Sequence, residues 1–184
     1  MSFNDVNSVK TRIETIHLDY LCNNFNLIRP AAEFKTDNVR LDLTGIDGKC
    51  LFELKSRNFP ENQANKRKRP ISDFSWWQLW EDQIKNYEEF AKEKGINPFW
   101  IFLLANTEKE LSKTKDLDED LIIKRDIYVL PWDAYNLTNV TNSNQRYLGL
   151  ARLKREYNFS EKAIKKGKLF IAENVINQTG KYFS

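Results

Sequence analysis

The chain has 184 residues, which is enough for one domain with a hydrophobic core, and its 41% apolar and 30% charged residues are typical of a globular protein. Its apolar runs are too short to cross a bilayer, and its first residues lack the apolar segment of a secretory signal. Cys22 and Cys50 lack CxxC spacing and need not pair, so we expect a cytoplasmic protein with no membrane partner. Because the sequence has no repeat, linker or low-complexity tract, we expect a single domain over 1–184.

The net charge of +3 is distributed unevenly. Basic residues are concentrated at 57–69 and 146–184, whereas 108–126 carries an excess of acids. Two basic segments in an otherwise balanced chain favour a polyanionic partner. The plain alternative is a solvated basic surface.

The first predicted elements are a helix, a strand and a hairpin. An apolar stripe with the helical period predicts a helix over 8–25, and a strand is expected at 27–34. The hairpin at 40–57 has alternating apolar residues on either side of Asp47-Gly48, which is a strong signal for a two-residue turn.

A loop at 58–74 and a helix at 75–95 come next. Ser75 and Gln78 have the spacing of a capping box, and Gly95 follows the last lysine as the expected C-terminal cap. The apolar face of this helix would contain Trp76, Leu79, Trp80, Ile84, Tyr87 and Ala91.

The second half of the chain is rich in strand signals. The run at 99–105 has no polar alternation, which indicates a strand buried on both faces. Further strands are expected at 126–132 and 147–154, with a polar loop at 133–145 between them. A short basic helix and a final extended piece would end the chain. This order predicts an α/β fold, in which helices flank a central mixed β-sheet.

The hairpin places two acids on one face. With Asp47 and Gly48 at the centre of the turn, Asp42 lies opposite Glu53, and alternation puts Lys55 on the same face. Like charges that face each other across two strands are destabilising, so this pair needs a counter-charge.

Two arrangements would supply that counter-charge. Lys55 and Arg40 could neutralise the acids as a salt-bridged surface ladder. Alternatively, a hard divalent cation could bind between the carboxylates, since Mg²⁺ prefers oxygen ligands and retains several waters. A bulge at Gly45 would shift the register and change which residue faces Asp42.

The hairpin motif resembles that of a known family. Asp42, followed after ten residues by Glu53-Leu54-Lys55, resembles the signature of PD-(D/E)XK nucleases, the restriction-endonuclease-like superfamily. The resemblance implies an αβββαβ core. Leu41 stands where many members have proline, a residue that is not a ligand.

The context of the motif also resembles the family over roughly residues 8–132. Its pattern places a helix before the hairpin, often with a glutamate, which here is Glu14. The helix after the hairpin carries QxxxY in RecB-like members, here Gln83 and Tyr87, and a buried strand follows, as 99–105 would supply.

The resemblance implies Mg²⁺-dependent hydrolysis of phosphodiester bonds, with Mn²⁺ as a substitute. Asp42, Glu53 and the backbone carbonyl of Leu54 would hold the metal. Lys55 would orient or activate the attacking water and offset the developing negative charge.

The helix residues have both functional and structural interpretations. Glu14 is either a direct or water-mediated metal ligand or an exposed helix acid. Gln83 either supports the metal site or contacts nucleic acid, or it is an ordinary hydrogen-bonded polar residue. His17 matches a helix histidine that ligates metal in the family's cap-snatching RNA endonucleases, but a buried structural histidine is the plainer interpretation.

DNA is the expected substrate, and the enzyme is expected to be an endonuclease of restriction or related type. Phosphate contacts are expected from Arg57, Lys66, Arg67, Lys68 and Arg69, which otherwise form a solvated basic loop. A homodimer would suit a palindromic duplex site. The alternatives are a metal-dependent RNA endonuclease, a nucleic-acid-binding module without catalysis, and a protein that uses the fold for protein contacts.

Overall fold

The structure is a computed structural model that describes residues 3–31, 39–61, 76–111, 117–140 and 144–184. The α-helices within these ranges are α1 (Phe3–Asn24), α2 (Glu81–Lys94), α3 (Leu150–Glu156) and α4 (Ile176–Thr179). The strands are β1 (Leu27–Ile28), β2 (Leu43–Gly45), β3 (Cys50–Pro60), β4 (Trp76–Trp80), β5 (Asn97–Thr107), β6 (Ile122–Pro131), β7 (Asn139–Val140), β8 (Gln145–Gly149), β9 (Phe159–Ile164) and β10 (Gly167–Ala172). None of the described helices is long and apolar enough to span a membrane.

Seven of these strands form one mixed sheet, in the order β1-β2-β3-β5-β6-β10-β9. β3 is parallel to β5 and β10 is parallel to β6, whereas the other neighbours are antiparallel. Strands β4, β8 and β7 form a small antiparallel sheet. The elements α1, β1, β2, β3, α2 and β5 follow one another in αβββαβ order, with β4 inserted before α2. The predicted α/β class, with a central mixed sheet flanked by helices, is confirmed.

The core is centred on β3, β5 and β6. Every residue from Phe99 to Ala105 is buried, as expected for a strand that is covered on both faces. In the hairpin, the apolar residues on the predicted core face are buried, namely Leu41, Leu43, Phe52 and Leu54. The buried side chains of both sheets belong to one contiguous cluster, which gives β3 and α2 a rigid base.

The start of the predicted helix at 75–95 is instead a strand. Residues Trp76–Trp80 form β4, which pairs with β8 over its whole length, and α2 begins only at Glu81. Trp77 and Leu79 are buried whereas Trp80 is exposed, so burial alternates with the period of a strand. Aromatic residues favour such half-buried pleated surfaces, and pairing with β8 overrides the helical pattern.

The later start of α2 changes its N-terminal cap and leaves its C-terminal cap as predicted. Ser75 lies outside the described residues, and the predicted capping box is wrong because Trp80 occupies the N-cap position with extended backbone. Acidic residues in the first turn stabilise the positive end of the helix dipole. Gly95 ends the helix with φ of 65°, a left-handed conformation that suits glycine, as predicted.

The C-terminal expectations are partly wrong. The strand predicted at 147–154 ends at Gly149, and α3 begins at Leu150. The predicted basic helix that follows is the β9–β10 hairpin, which pairs with β6 and extends the central sheet. A Cβ atom at Gly167 would lie 1.4 Å from the carbonyl oxygen of Arg125, so this close pairing requires glycine.

Candidate active site

The hairpin has the predicted register. Leu43 pairs with Phe52 and Thr44 pairs with Leu51, so no bulge at Gly45 shifts the two strands. Gly45 is needed for packing instead, because a Cβ atom there would lie 2.4 Å from the ring of Tyr182.

The connection is wider than the two-residue turn predicted, since β2 ends at Gly45 and β3 begins at Cys50, and within it the N–H of Gly48 bonds to the carbonyl of Gly45. Gly48 has φ of 67°, the left-handed conformation that favours glycine. The Asp47 carboxylate accepts hydrogen bonds from Lys181 Nζ at 2.8 Å and from the Tyr182 hydroxyl at 2.6 Å. These bonds tie the turn to the C-terminal segment and fix the hairpin.

Asp42 lies just outside the ladder. Because β2 begins at Leu43, the predicted direct pairing of Asp42 with Glu53 is not made as a ladder pair. The Oδ2 atom of Asp42 instead accepts the backbone N–H of Leu54 at 2.7 Å. The N–H and C=O of one strand residue point to the same side, so the Leu54 carbonyl faces the same open edge of β3.

The two acids are close enough to repel each other. Burial and the charge of Glu53 raise the pKa of Asp42 well above its usual range. The N–H of Leu54 and the ammonium group of Lys55 act in the opposite direction but do not cancel this effect. Asp42 therefore pays an electrostatic penalty for its position beside Glu53.

Glu53 is enclosed by donors from two elements. The ion pair between Lys55 and Glu53 that the salt-ladder alternative expected is present, but Glu53 is only 4% exposed, so the pair is buried rather than solvated. The Oε1 atom of Glu53 accepts hydrogen bonds from Lys55 Nζ and from Gln83 Nε2, both at 2.6 Å, and Lys55 Nζ also donates to Gln83 Oε1 at 3.0 Å. Arg40, the other cation of that alternative, is exposed.

Tyr87 holds the second oxygen of Glu53. Its hydroxyl lies 2.5 Å from Glu53 Oε2 and within hydrogen-bond distance of the Arg40 carbonyl. Burial and the charge of Glu53 raise the pKa of Tyr87 well above its usual range, so the hydroxyl stays protonated and acts as a donor. Gln83 and Tyr87 are one helical turn apart on α2, which brings both to the same carboxylate.

A stack of aromatic rings packs against the ring of Tyr87. The ring of Tyr87 stacks on Trp132 at 5.4 Å, and Trp132 stacks on Trp100 at 4.0 Å. Trp100 also donates its indole N–H to the Trp132 carbonyl at 2.7 Å. Sequence reasoning missed this stack because its members come from three separate elements, and only the folded sheet brings them together.

The acids Glu14, Asp42 and Glu53 line one open cleft of about 280 Å³, whose wall also contains Lys55, Arg57, Trp77 and Gln78. Glu14 is exposed at its mouth, where partial burial and the charge of Glu53 raise its pKa. Through Glu14 and Asp42 the cleft continues into a second hollow of about 680 Å³ that is also lined by Arg29 and Arg40. Of the predicted phosphate-binding residues, Arg57 lies in the cleft, whereas Lys66, Arg67, Lys68 and Arg69 lie outside the described residues.

His17 is not placed as a metal ligand. It is fully buried, its Nε2 atom lies 2.8 Å from Asn58 Oδ1, and its Nδ1 atom accepts a hydrogen bond from Arg125 at 3.2 Å. Burial and the charge of Arg125 lower the pKa of His17 to about 4. Both ring nitrogens are engaged by protein groups, so the structural interpretation of His17 is the one that the structure supports.

The donor set fits a hard divalent cation. Among the described residues, no group of three or more His, Cys, Asp and Glu side chains could hold a metal ion. The candidate ligands are instead the carboxylates of Asp42 and Glu53 and the carbonyl of Leu54, with Glu14 at the mouth. Oxygen ligands that are few in number suit Mg²⁺, which keeps several of its waters. Asp42 and Glu53 repel each other, and a bound divalent cation would offset that repulsion.

No protein-family model and no curated protein matches the chain. Among solved structures, it is similar to Hjc, a Holliday junction resolvase from the archaeal hyperthermophile Archaeoglobus fulgidus. The TM-score is 0.44 at 14% sequence identity, and the match covers 95% of this chain and 98% of that chain. A TM-score this low supports no statement about function.

Proposed function

We propose that this chain is a divalent-cation-dependent nuclease that hydrolyses phosphodiester bonds in DNA. The observation that carries the proposal is the cluster on β3 beyond its pairing with β2. There, Asp42 and Glu53 repel each other, and the ammonium group of Lys55 lies 2.6 Å from Glu53. The cleft keeps Asp42 beside Glu53 at an electrostatic cost, which a bound divalent cation would offset.

Asp42, Glu53 and the carbonyl of Leu54 would hold Mg²⁺, or Mn²⁺ in its place. When bound, such a cation polarises a phosphate oxygen and lowers the pKa of a coordinated water. Glu14 lies at the cleft mouth, where it suits a water-mediated contact to the same cation. The ammonium group of Lys55 must leave Glu53 Oε1, or share it, when the cation enters.

Lys55 is the candidate catalytic residue that is not a ligand. From the cleft wall its ammonium group can donate a hydrogen bond to the attacking water or to a phosphoryl oxygen, and it offsets the negative charge of the transition state. Gln83 is a positioning residue because it bonds to both Lys55 and Glu53. Tyr87 is a second positioning residue, since it bonds to the other oxygen of Glu53.

Cationic side chains along the cleft support a nucleic-acid substrate. Arg57 lies beside the acids, and Arg29 and Arg40 line the adjoining hollow. The basic block at 66–69 follows β3 closely in the chain. Phosphate contacts of this kind supply most of the sequence-independent affinity for DNA. A homodimer on a palindromic site and a cytoplasmic location remain predictions.

The test is a cleavage assay on plasmid DNA, single-stranded DNA and RNA, with Mg²⁺, Mn²⁺ or EDTA. We expect DNA cleavage that requires the metal and is lost in Asp42→Asn and Lys55→Met. Glu93→Gln is the matched control, because it removes an exposed carboxylate at the far end of α2 and should leave cleavage unchanged. Circular dichroism would show that each variant is folded.

The same assay separates the other candidate functions. Cleavage confined to RNA would replace DNA as the substrate. Salt-dependent binding without cleavage in either metal would favour a nucleic-acid-binding module that lacks catalysis. No cleavage of any of the three substrates would refute the nuclease proposal.

A further inference from the structure

One face of the small sheet carries aromatic and amide side chains beside the cleft. In the β4–β8 ladder, Gln78 pairs with Tyr147 and Trp80 pairs with Gln145. Directly paired residues point to the same face, so these four side chains form one surface, here called the amide–aromatic face. Trp80 is 44% exposed, and the other three residues are partly exposed.

The amide–aromatic face is continuous with the candidate active site. Gln78 belongs to it and also lines the cleft that holds Asp42, Glu53 and Lys55. Trp80 lies two residues further along β4, about 7 Å away at the usual rise of a strand. A ligand bound across Gln78 and Trp80 would therefore extend directly from a phosphate in the cleft.

We propose that the amide–aromatic face binds unpaired nucleobases that adjoin the scissile phosphate. This inference rests on the proposed function for the position of that phosphate. The side chains of the face carry no charge, so they suit the planar, hydrogen-bonding bases rather than the phosphates. The rings of Trp80 and Tyr147 offer stacking surfaces, and the amide of Gln78 can donate to and accept from base edges, whereas the Gln145 amide oxygen already accepts the Tyr147 hydroxyl at 2.8 Å.

The proposal specifies a substrate class. In a continuous duplex the faces of the bases are covered by their neighbours, so stacking on a tryptophan requires a base that is single-stranded or at an end. The preferred substrate is therefore DNA with a single-stranded flank or gap beside the cleavage position. Fully paired duplex would bind through its phosphates alone.

The test measures binding without cleavage, in EDTA, to a duplex with a single-stranded flank and to the same duplex with blunt ends. Stacking on one aromatic residue is worth about 5-fold to more than 100-fold in affinity. We expect Trp80→Ala to lose about this factor on the flanked duplex, so that the ratio of the two affinities falls. Trp80→Phe keeps an aromatic ring and should recover most of the ratio. Ile46→Ala, which removes an exposed apolar side chain in the β2–β3 turn, should keep the wild-type ratio.

Equal losses on both substrates, or no loss on the flanked one, would overturn the proposal. So would a wild-type dimer that Trp80→Ala dissociates without nucleic acid in sedimentation measurements, because the face would then be an interface between copies. A chain that cleaves DNA without any effect of Trp80→Ala would keep the nuclease and lose the base-binding face. If binding depends on Trp80 in a chain that never cleaves DNA, the base-binding face would be kept and the nuclease proposal would be lost.

Discussion

Removing one hydroxyl group from Tyr87 tests whether the site is held in place as the structure indicates. Tyr87→Phe deletes the donor 2.5 Å from Glu53 Oε2 and leaves the ring stacked on Trp132. Glu53 is 4% exposed, so water cannot readily replace the lost hydrogen bond. Hydrogen bonds to charged groups contribute about 1.5–3 kcal/mol to folding, and we expect a loss of unfolding free energy in that range. For a chain of this length the midpoint of thermal unfolding would fall by about 3–12 °C.

The assay is urea unfolding of the metal-free protein at neutral pH, followed by circular dichroism. Tyr128→Phe is the matched control, since it removes the hydroxyl from another buried tyrosine, on β6, whose ring stacks on Phe170 away from the cleft. A double-mutant cycle with Glu53→Gln isolates the pairwise contribution, because the cost of Tyr87→Phe should shrink once the carboxylate is neutral. If Tyr87→Phe costs less than about 0.5 kcal/mol, or costs the same in the Glu53→Gln background, then Tyr87 does not position Glu53.

Three further predictions concern pH and salt. Because the pKa of Asp42 is raised in the folded state, the folded protein keeps this proton to higher pH than the unfolded chain does. The unfolding free energy should therefore fall as pH rises above 3.8. Urea titrations at a series of pH values measure this slope, which Asp42→Asn should remove. The effect of His17 on stability has the opposite pH dependence. Its pKa is lowered from 6.5 to about 4 in the folded state, so the unfolded chain takes up the proton first as pH drops. The unfolding free energy should fall by about 3 kcal/mol over this pH range, and His17→Gln should abolish that loss. Arg57→Ala should reduce the salt dependence of DNA binding by about one counterion, measured as the slope of log affinity against log salt concentration, and an unchanged slope would place Arg57 away from phosphate.

The hairpin and the central strand were predictable because short-range patterns determine them. Asp47-Gly48 and the alternation around it fixed the strand register. The apolar run at 99–105 predicted a strand that is covered on both faces, because it contains no polar residue to face solvent. The spacing of Gln83 and Tyr87 put both on one helix face, and the structure places both on Glu53.

Other features depend on tertiary contacts that the sequence does not display. The run Trp76–Trp80 fits both a helical stripe and an alternating strand, and only its pairing with β8 decides between them. The basic C-terminal segment forms a hairpin whose second strand pairs with β6, where Gly167 allows close approach to Arg125. The environment of His17 was equally hidden, since its partners are far away in the chain.

We propose that Asp42 and Glu53 form a divalent-cation site in which Lys55 is a neighbour and not a ligand. Calorimetric titration of Mn²⁺ into the wild type, Asp42→Asn and Lys55→Met tests it most directly. We expect binding by the wild type, none by Asp42→Asn, and binding at least as tight by Lys55→Met, because removing the ammonium group frees Glu53 Oε1. Absence of binding in the wild type, or equal binding by Asp42→Asn, would contradict it.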